Sequence, residues 1–585
     1  MAIRWRRLGI ALWAAACALP GAPARAQTAP DTLERIVADY QAIEDRADPD
    51  ASPTWPDVSP QALADNDAAR TAIAARLAAL AAAGLGEEEA LTRTLILARI
   101  ADAHAALGFD EARIPFIKND GFFTVPSYAA GHVVLRTPAQ ARAWIARLHA
   151  LPRFYAQNIA NMRRGIATGF TQPAIVGDSI VPMIARLHDF TPATDPLLKP
   201  FAKVPPGVAP AEWAGLKAEA LGVVQREVHP AQAALLAFVR DEYRPHARAG
   251  LGAGTLPGGA AYYAFVVRHH TTTDLTPDQI FAIGQSEVHR IRAKMEAAKA
   301  QSGFKGDMKA FLAMLRTDRR FYAPDLATYV DKVSEIAKRI DWQVPHVVGT
   351  LPRLTYGVIV QPPEIEGSSN GYLEGDPVAG VAGQVSVHRA STGDPLFALP
   401  AWVLHEGVPG HHLQIARAQE LTGLPAFRRK SDITAFVEGW GLYSETLGEE
   451  MGIYRTPYER FGKLTWEVWR ACRLQMDVGL HLKGWTFDHA ANCLRENTAL
   501  PEYFIRDETL RYIAWPGQAL AYKVGELELL RLRRKAEAGL GARFDVRAFH
   551  DLVLGSGALP LDVLALRVDG WIARGGPAAA SAPHR

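Results

Sequence analysis

The stretch from Leu399 to Gln414, LPAWVLHEGVPGHHLQ, decides how this sequence is interpreted. An apolar run leads into His405 and Glu406. In a helix with the pattern HExxH, two histidines one turn apart bind one Zn²⁺, and the glutamate between them acts on water. The residue four positions after His405 is instead Pro409, which has no N–H to donate to the carbonyl of His405 and whose ring crowds that carbonyl. The stretch therefore predicts a helix that kinks or bulges at the Pro-Gly pair.

Two histidines follow this break and compete for the second ligand position. His411 is six residues after His405, about 240° around an ideal helix, and His412 is seven residues after it, on the correct face but about 10 Å along the axis. Neither histidine reaches the metal of His405 from a straight helix. A bulge that absorbs two residues would bring His411 into the usual position. We therefore expect His411 as the ligand and keep His412 as the alternative; if His412 is not a ligand, it is a candidate for contacting the substrate or its oxyanion.

A glutamate in the next helical segment completes the predicted metal site. The segment FVEGWGLYSE spans Phe436 to Glu445, and Glu438 follows His411 by 27 residues, which is enough for a turn and an antiparallel helix. A carboxylate on a following helix is a usual third ligand when two histidines come first, and the two glycines of GWG let helices approach closely. Glu445, seven residues after Glu438, projects from nearly the same face. It is a candidate for orienting a ligand or contacting the substrate.

Further polar residues with candidate roles lie on the helical segments that follow. Arg473, Asp477 and His481 are spaced by four and form one row on an otherwise apolar helix, which is typical of side chains that orient metal ligands. An ordinary row of salt bridges would have the same spacing. Tyr522 is the first candidate and Tyr443 the second for donating a hydrogen bond to the oxyanion of a tetrahedral intermediate. A buried tyrosine bonded to backbone is the commoner case for both.

Helical periodicity runs through most of the chain and predicts a mainly α-helical protein. Strand-like pattern is confined to residues 346–362 and 381–389, which predicts a small β element. No repeat, charge block or linker composition marks a boundary, so residues 27–574 are predicted to form one large helical domain and residues 575–585 a disordered tail. Helices are predicted at about residues 67–85, 138–165, 211–240, 276–301, 323–341, 396–421, 431–451, 457–484, 486–495, 517–538 and 545–554.

The first 26 residues have the pattern of a secretory signal peptide. A basic start is followed by an apolar run of about 12 residues, too short to span a bilayer, and Ala24 and Ala26 suit cleavage before Gln27. We therefore expect an exported protein, periplasmic or secreted, without a membrane-spanning helix. Cys17 would be the site of a lipoprotein anchor, but Ala14 is a poor residue three positions before it. Lipoprotein anchoring is therefore the less favoured interpretation.

Composition and charge exclude several classes of protein. Of the 585 residues, 49% are hydrophobic and 22% are charged, a globular composition that excludes a disordered or fibrous chain. The formal charge of +2 becomes −2 when residues 1–26 are removed with their four arginines, so no basic surface predicts nucleic-acid binding. Three cysteines exclude a disulfide scaffold and a Cys-rich zinc module. Without Cys17, the mature chain keeps Cys472 and Cys493, which allow at most one disulfide.

Taken together, these motifs resemble the bacterial family catalogued as domain of unknown function 885, and that resemblance implies a relation to gluzincin metallopeptidases. EGWGLYSE also looks like the segment that supplies the glutamate ligand in aminopeptidase N-like enzymes. GHHLQ looks like the second half of the thimet-oligopeptidase motif, which favours His411 over His412. The resemblance implies a large bilobal helical fold with a deep channel, although Pro409 departs from the pattern of these peptidases. It covers most of the mature chain and rests on HEGVPGHHLQ (405–414), VEGWGLYSE (437–445), RLQMDVGLHLKGW (473–485), WPGQALAYKVGEL (515–527) and FHDLVLGSGALPLDVL (549–564).

These expectations combine into a zinc-dependent hydrolase of amide bonds, a periplasmic peptidase acting on short peptides. His405, His411 and Glu438 would bind Zn²⁺ and leave one position open. Glu406 would take a proton from the attacking water and return it to the leaving amine, and Tyr522 would stabilise the oxyanion. A zinc amidase or isopeptidase acting on a non-standard amide or a cell-wall fragment would have the same residues. A catalytically inactive peptide- or metal-binding protein is the alternative from another class, and the oligomeric state is not predicted.

Overall fold

The computed structural model describes residues 32–49, 51–80, 84–118, 120–191, 194–361 and 370–577. The predicted signal peptide, Cys17 and the tail beyond residue 577 lie outside the described residues. Within them the chain is mainly α-helical, as its periodicity predicts. The helices are α1 Leu33–Ala47, α2 Pro60–Ala79, α3 Glu87–Phe109, α4 Val125–His132, α5 Pro138–Thr168, α6 Ala174–His188, α7 Pro210–Val223, α8 His229–Phe238, α9 Gly259–Thr271, α10 Pro277–Gln301, α11 Met308–Thr317, α12 Leu326–Gln343, α13 Leu399–Glu406, α14 His411–Glu420, α15 Ala426–Arg429, α16 Thr434–Glu450, α17 Pro457–Leu482, α18 Phe487–Asn497, α19 Glu502–Ala514, α20 Ala521–Leu540, α21 Val546–Leu554 and α22 Leu561–Ala573.

A three-stranded sheet is the small β element that the sequence predicts. Its strands are β1 Tyr356–Val360, β2 Gly371–Leu373 and β3 Gly383–Val387, in the order β1-β3-β2. β3 pairs in parallel with β1 and antiparallel with β2. β1 and β3 lie inside the two strand-like segments of the sequence. β2 is too short, at three residues, to give a detectable alternation.

Several predicted helix boundaries differ from the structure, and two of these differences have clear local reasons. The predicted helix at 67–85 begins earlier as α2, because Ser59 caps its amino end with a hydrogen bond from Ala62 N (3.3 Å) and Pro60 occupies the first helical position. The predicted helix at 517–538 begins later as α20, because Gly517 has a positive φ of 81° and a 3₁₀ turn follows it. Each helix among the described residues is too short or too polar to cross a membrane.

Helix α17 is the central helix of the described fold, and it is buried along most of its length, as its nearly continuous apolar pattern predicts. Its side chains belong to three separate core clusters. Trp469 packs in the first, Leu474 in the second and Val468 in the third. It packs along α10 and also contacts α13, α18, α19 and α20. A disulfide between Cys472 and Cys493 joins α17 to α18. Polar side chains on α17 are therefore held in fixed positions beside α13, which carries the first predicted metal ligand.

Candidate metal centre

The helix break that the sequence predicts lies between α13 and α14. α13 ends at Glu406, residues 407–410 form a turn that contains a cis peptide bond before Pro409, and α14 begins at His411. The chain returns so closely on the end of α13 that a Cβ atom at Gly410 would lie 2.0 Å from the carbonyl oxygen of His405. Only glycine fits there. The turn therefore replaces one helical turn and changes the direction of the residues after it.

The break brings His405 and His411 to the same carboxylate. Nε2 of His405 and Nε2 of His411 each lie 3.5 Å from Oε2 of Glu438 on α16. One possible ligand atom from each of the three residues lies within 4.8 Å of the others. The rings of His405 and His411 stand at 89° to each other with centroids 4.7 Å apart. The three side chains therefore converge on one point.

The spacing of these atoms suits a shared cation better than hydrogen bonds. Charge-assisted hydrogen bonds are about 2.7–2.9 Å long, and Oε2 of Glu438 has no hydrogen-bond partner among the described residues although it is buried. Ligand atoms about 2.0–2.1 Å from a tetrahedral zinc ion lie about 3.4 Å from one another. The observed 3.5 Å contacts of Glu438 with His405 and His411 match that spacing. The residues present therefore fit a zinc ion with two imidazoles and one carboxylate.

His412, the alternative second histidine, faces the sheet instead of Glu438. Its Nε2 lies 3.0 Å from the carbonyl oxygen of Leu354, which can only accept, so Nε2 carries the hydrogen. Its Nδ1 then accepts from the hydroxyl of Tyr372 at 3.0 Å, and its ring packs on Tyr356. Burial lowers the pKa of His412 to about 4, so it is neutral. His412 holds the β element against α14 and has no ring nitrogen left for the cation.

Glu445 orients His405 from the side opposite to Glu438. Its Oε1 lies 2.9 Å from Nδ1 of His405, and its side chain is fully buried. This contact fixes the hydrogen on Nδ1 and directs Nε2 toward Glu438, the usual arrangement behind a metal-binding histidine. Gly441 makes the close packing possible, because a Cβ atom there would lie 2.8 Å from the ring of His405. Glu445 therefore lies where it can orient His405, and its role toward a metal stays a prediction.

Negative charge is concentrated at the site. Burial alone would lower the pKa of His405, but Glu438 and Glu445 raise it to about 9. Burial would raise the pKa of Glu438, but His405 and His411 hold it well below its usual value. Burial and then the carboxylate of Glu438 raise the pKa of Glu406, against the opposing effect of the two histidines. Three carboxylates lie beside two imidazoles, and Arg470 offsets the charge of one of them, Glu445, at 3.8 Å; the remaining negative charge favours a bound cation.

A cavity of about 670 Å³ opens onto this cluster. Glu406, the residue after the first histidine, lines it together with the three candidate ligands. Tyr522 lines it too, with its ring stacked 6.5 Å from that of His405 at an angle of 18°. The hydroxyl of Tyr522 accepts a hydrogen bond from Nη2 of Arg511 at 3.0 Å, and it donates its own hydrogen to no other described residue. The carboxyl group of Glu406 and the hydroxyl of Tyr522 therefore belong to the same cavity as the three candidate ligands.

Three other residues predicted for the site have structural partners away from it. Tyr443 bonds through its hydroxyl to Nε2 of His550 at 2.8 Å and does not line the cavity, so its position does not suit an oxyanion donor. Asp477 accepts from the hydroxyl of Tyr263 at 2.6 Å and from a backbone N–H. His481 accepts from a backbone N–H through Nδ1 and donates to a backbone carbonyl through Nε2. Asp477 and His481 hold α17 to neighbouring segments, because each of their bonds is to another part of the chain.

Arg473 is the member of the predicted row that reaches the cavity. It donates through Nη2 to Glu508 at 2.9 Å and through Nε to the hydroxyl of Tyr512 at 2.8 Å. The alternative interpretation of Arg473, Asp477 and His481 as a row of salt bridges is not what the structure shows, since each bonds to a different part of the chain. Arg470, one turn earlier on α17, also lines the cavity and was not predicted. Its position in an apolar helix is the same signal that singled out Arg473.

The family of this chain is established by its sequence. It belongs to the family of bacterial proteins of unknown function DUF885, whose model matches residues 40–568. A crystal structure from Colwellia psychrerythraea, described as a "putative lipoprotein", is similar, with a TM-score of 0.85, 25% identity, and coverage of 93% of this chain and 100% of that one.

A second solved structure shares the fold. It is described as a "putative lipoprotein of unknown function" from Shewanella oneidensis, with a TM-score of 0.68, 17% identity, and coverage of 92% of this chain and 99% of that one. No curated protein matches this chain. Neither the family nor these two structures assigns an activity, so the function must be argued from the site.

Proposed function

We propose that this protein is a zinc-dependent hydrolase of amide bonds, an exported peptidase that acts on short peptides. The convergence of His405, His411 and Glu438 within 4.8 Å of one another carries the proposal, because this ligand set leaves a position open for substrate or water. Glu406 in the same cavity supports hydrolysis over storage or transport of the metal.

Zinc at this position would lower the pKa of a bound water and polarise the carbonyl of the substrate. The residues of the chain would do the rest. Glu406 takes the proton of the attacking water and returns it to the leaving amine, a role that suits its raised pKa. Tyr522 donates the free hydrogen of its hydroxyl to the oxyanion. Glu445 keeps His405 oriented through the cycle.

The size of the cavity supports short peptides as substrates. A volume of about 670 Å³ lies in the range of small-ligand pockets, and the lining is rich in aromatic side chains. We propose a two-lobed, gluzincin-like fold with the catalytic residues in a deep channel between helices. Export would place the enzyme in the periplasm or outside the cell, in agreement with the descriptions of the two similar structures as lipoproteins.

Hydrolysis of a substrate panel by the purified protein tests the proposal. The panel holds short peptides, isopeptides, cell-wall fragments and N-acyl amides, and each is assayed before and after removal of metal with a chelator. We expect cleavage of short peptides that is lost with the chelator and restored by zinc. Cleavage of only the non-standard amides would assign the protein to amidases or isopeptidases. Stoichiometric zinc binding without any cleavage would contradict the proposed hydrolase and indicate a binding protein.

A further inference from the structure

Three guanidinium groups lie together on the cavity wall beside Tyr522, and we call Arg470, Arg473 and Arg511 the arginine cluster. Arg470 and Arg473 come from α17 and Arg511 from α19, and all three line the cavity. Their central carbons lie 5.9, 4.2 and 5.9 Å from the centroid of the Tyr522 ring. The cluster is therefore built around a residue that also faces the candidate metal ligand His405.

The carboxylates in contact with the arginine cluster do not balance its charge. Arg473 and Arg511 share Glu508, at 2.9 and 3.4 Å. Arg470 lies 3.8 Å from Glu445, which already accepts a hydrogen bond from His405. Glu508 also accepts from the hydroxyl of Tyr512 at 2.6 Å, so one carboxylate serves three donors.

The cluster also has unused hydrogen-bond donors in a buried position. Nη1 of Arg473 and Nε of Arg470 have no hydrogen-bond partner among the described residues. Arg473 is 1% exposed and Arg470 is 2% exposed, yet both reach the cavity wall. A buried guanidinium whose charge is not balanced by carboxylates is costly unless an anion approaches it. A carboxylate is the anion that matches the fork of an arginine in shape and charge.

The distance between the arginine cluster and the candidate metal ligands limits how far this carboxylate can lie from the scissile amide. The Tyr522 ring lies 6.5 Å from the ring of His405, and the guanidinium carbon of Arg473 lies 4.2 Å from the Tyr522 ring. An extended chain covers about 3.3–3.6 Å per residue. A peptide whose scissile amide sits at the metal cluster therefore reaches the arginine cluster within about three residues.

We propose that the arginine cluster binds a carboxylate of the substrate close to the scissile amide, and that this carboxylate is the free C-terminus of a short peptide. This inference rests on the proposed function and names its substrate class. A C-terminus bound within about three residues of the scissile amide makes the protein a peptidase that removes one to three residues from the C-terminal end. An aspartate or glutamate side chain would present the same chemistry, and the experiment separates the two sources.

The first experiment compares three forms of one tripeptide with the full-length wild-type protein: the free acid, the C-terminal amide, and an amide whose last residue is glutamate. We expect kcat/KM for the free acid to exceed that for the plain amide by ten- to hundredfold, the ratio for losing a hydrogen bond to a charged group. Restoration of the rate by the glutamate side chain would support the carboxylate site and assign it to a side chain. Equal cleavage of all three forms would overturn the inference while leaving the hydrolase in place.

Variants of the arginine cluster test whether it causes the preference for the free acid over the amide. Arg511→Gln removes a charge from a side chain that is partly exposed. Arg473→Lys keeps the charge of a fully buried residue but removes the forked guanidinium group. Both variants are therefore expected to fold. Each should lower the ratio of kcat/KM for the free acid to kcat/KM for the amide about tenfold or more, because a loss that acts through Tyr522 would affect both peptides equally. Arg506→Gln is the matched control, since Arg506 is exposed on α19 and does not line the cavity. Free-acid preference that survives in both cluster variants would overturn the inference.

Binding to an inactive variant separates this inference from the proposed function. In Glu406→Gln, calorimetry with the free-acid and amide tripeptides measures recognition without turnover. Tighter binding of the free acid that is lost in the double variant with Arg511→Gln supports the arginine cluster, whether or not the wild type cleaves either peptide. Equal affinity for acid and amide overturns the cluster's role even if the wild type is an active peptidase.

Discussion

Replacing Glu445 by glutamine should weaken zinc binding without unfolding the protein. Glu445 is fully buried and its Oε1 lies 2.9 Å from Nδ1 of His405. Glutamine keeps the shape and can still accept that hydrogen bond through its amide oxygen, so what is lost is the charge that faces the imidazole of His405 and, at 3.8 Å, the guanidinium of Arg470. Carboxylates in this position contribute about ten- to hundredfold to metal affinity, which corresponds to about 1.4–2.7 kcal/mol.

The assay is a competition titration of zinc between a chromogenic chelator and the protein. Glu449→Gln is the matched control, because Glu449 lies one turn further along α16 and is exposed. The control should bind zinc like the wild type, while Glu445→Gln should show a dissociation constant at least ten times higher. Circular dichroism and thermal unfolding check that both variants are folded. Wild-type affinity in a folded Glu445→Gln variant would refute the argument that Glu445 supports a metal ligand.

Three further predictions follow from the cavity and the central helix. Glu406→Gln should keep stoichiometric zinc in metal analysis and lose at least a hundredfold in kcat, because the general base is gone; near-normal turnover would exclude that role. Tyr522→Phe should lower kcat by about a hundredfold with little change in KM, as loss of an oxyanion donor does. Tyr443→Phe is the comparison, because it removes a hydroxyl that bonds to His550 away from the cavity. It should lower thermal stability and leave kcat close to normal. Replacing Cys472 and Cys493 by serine should lower the free energy of unfolding in denaturant titrations by about 3 kcal/mol, given the 21 residues that separate them; an unchanged midpoint would contradict a disulfide in the native protein.

The sequence determines the helix break because the reasons for it are local. Proline at 409 removes a hydrogen bond and glycine at 410 permits the tight return, so the break could be predicted without knowing any distant contact. Glu438 could also be predicted from local sequence. Its spacing from His411 and its apolar neighbours indicate a side chain that faces the protein interior. Spacing alone could not decide between His411 and His412 as the second ligand. His412 is occupied by a hydrogen bond from Tyr372 of β2, which lies 40 residues earlier in the chain.

The roles of the other polar residues could not be predicted because their partners come from distant segments. Asp477 and His481 have the spacing of a site-forming row, but their partners are Tyr263 and backbone groups far along the chain. Arg511 and Glu508 lie on α19, a helix that the periodicity of the sequence does not predict. Periodicity shows which face of a helix is buried; it does not show which helix covers that face.

Zinc analysis of two histidine variants tests the central claim most directly. The purified wild type, His411→Ala and His412→Ala are dialysed against trace zinc and their metal content is measured by mass spectrometry, with folding checked by circular dichroism. We predict one zinc per chain in the wild type and in His412→Ala, and loss of zinc in His411→Ala, because Nε2 of His411 faces Glu438 while both ring nitrogens of His412 bond to other groups. Zinc retained without His411 and lost without His412, or no stoichiometric zinc in the wild type, would contradict the metal centre described above.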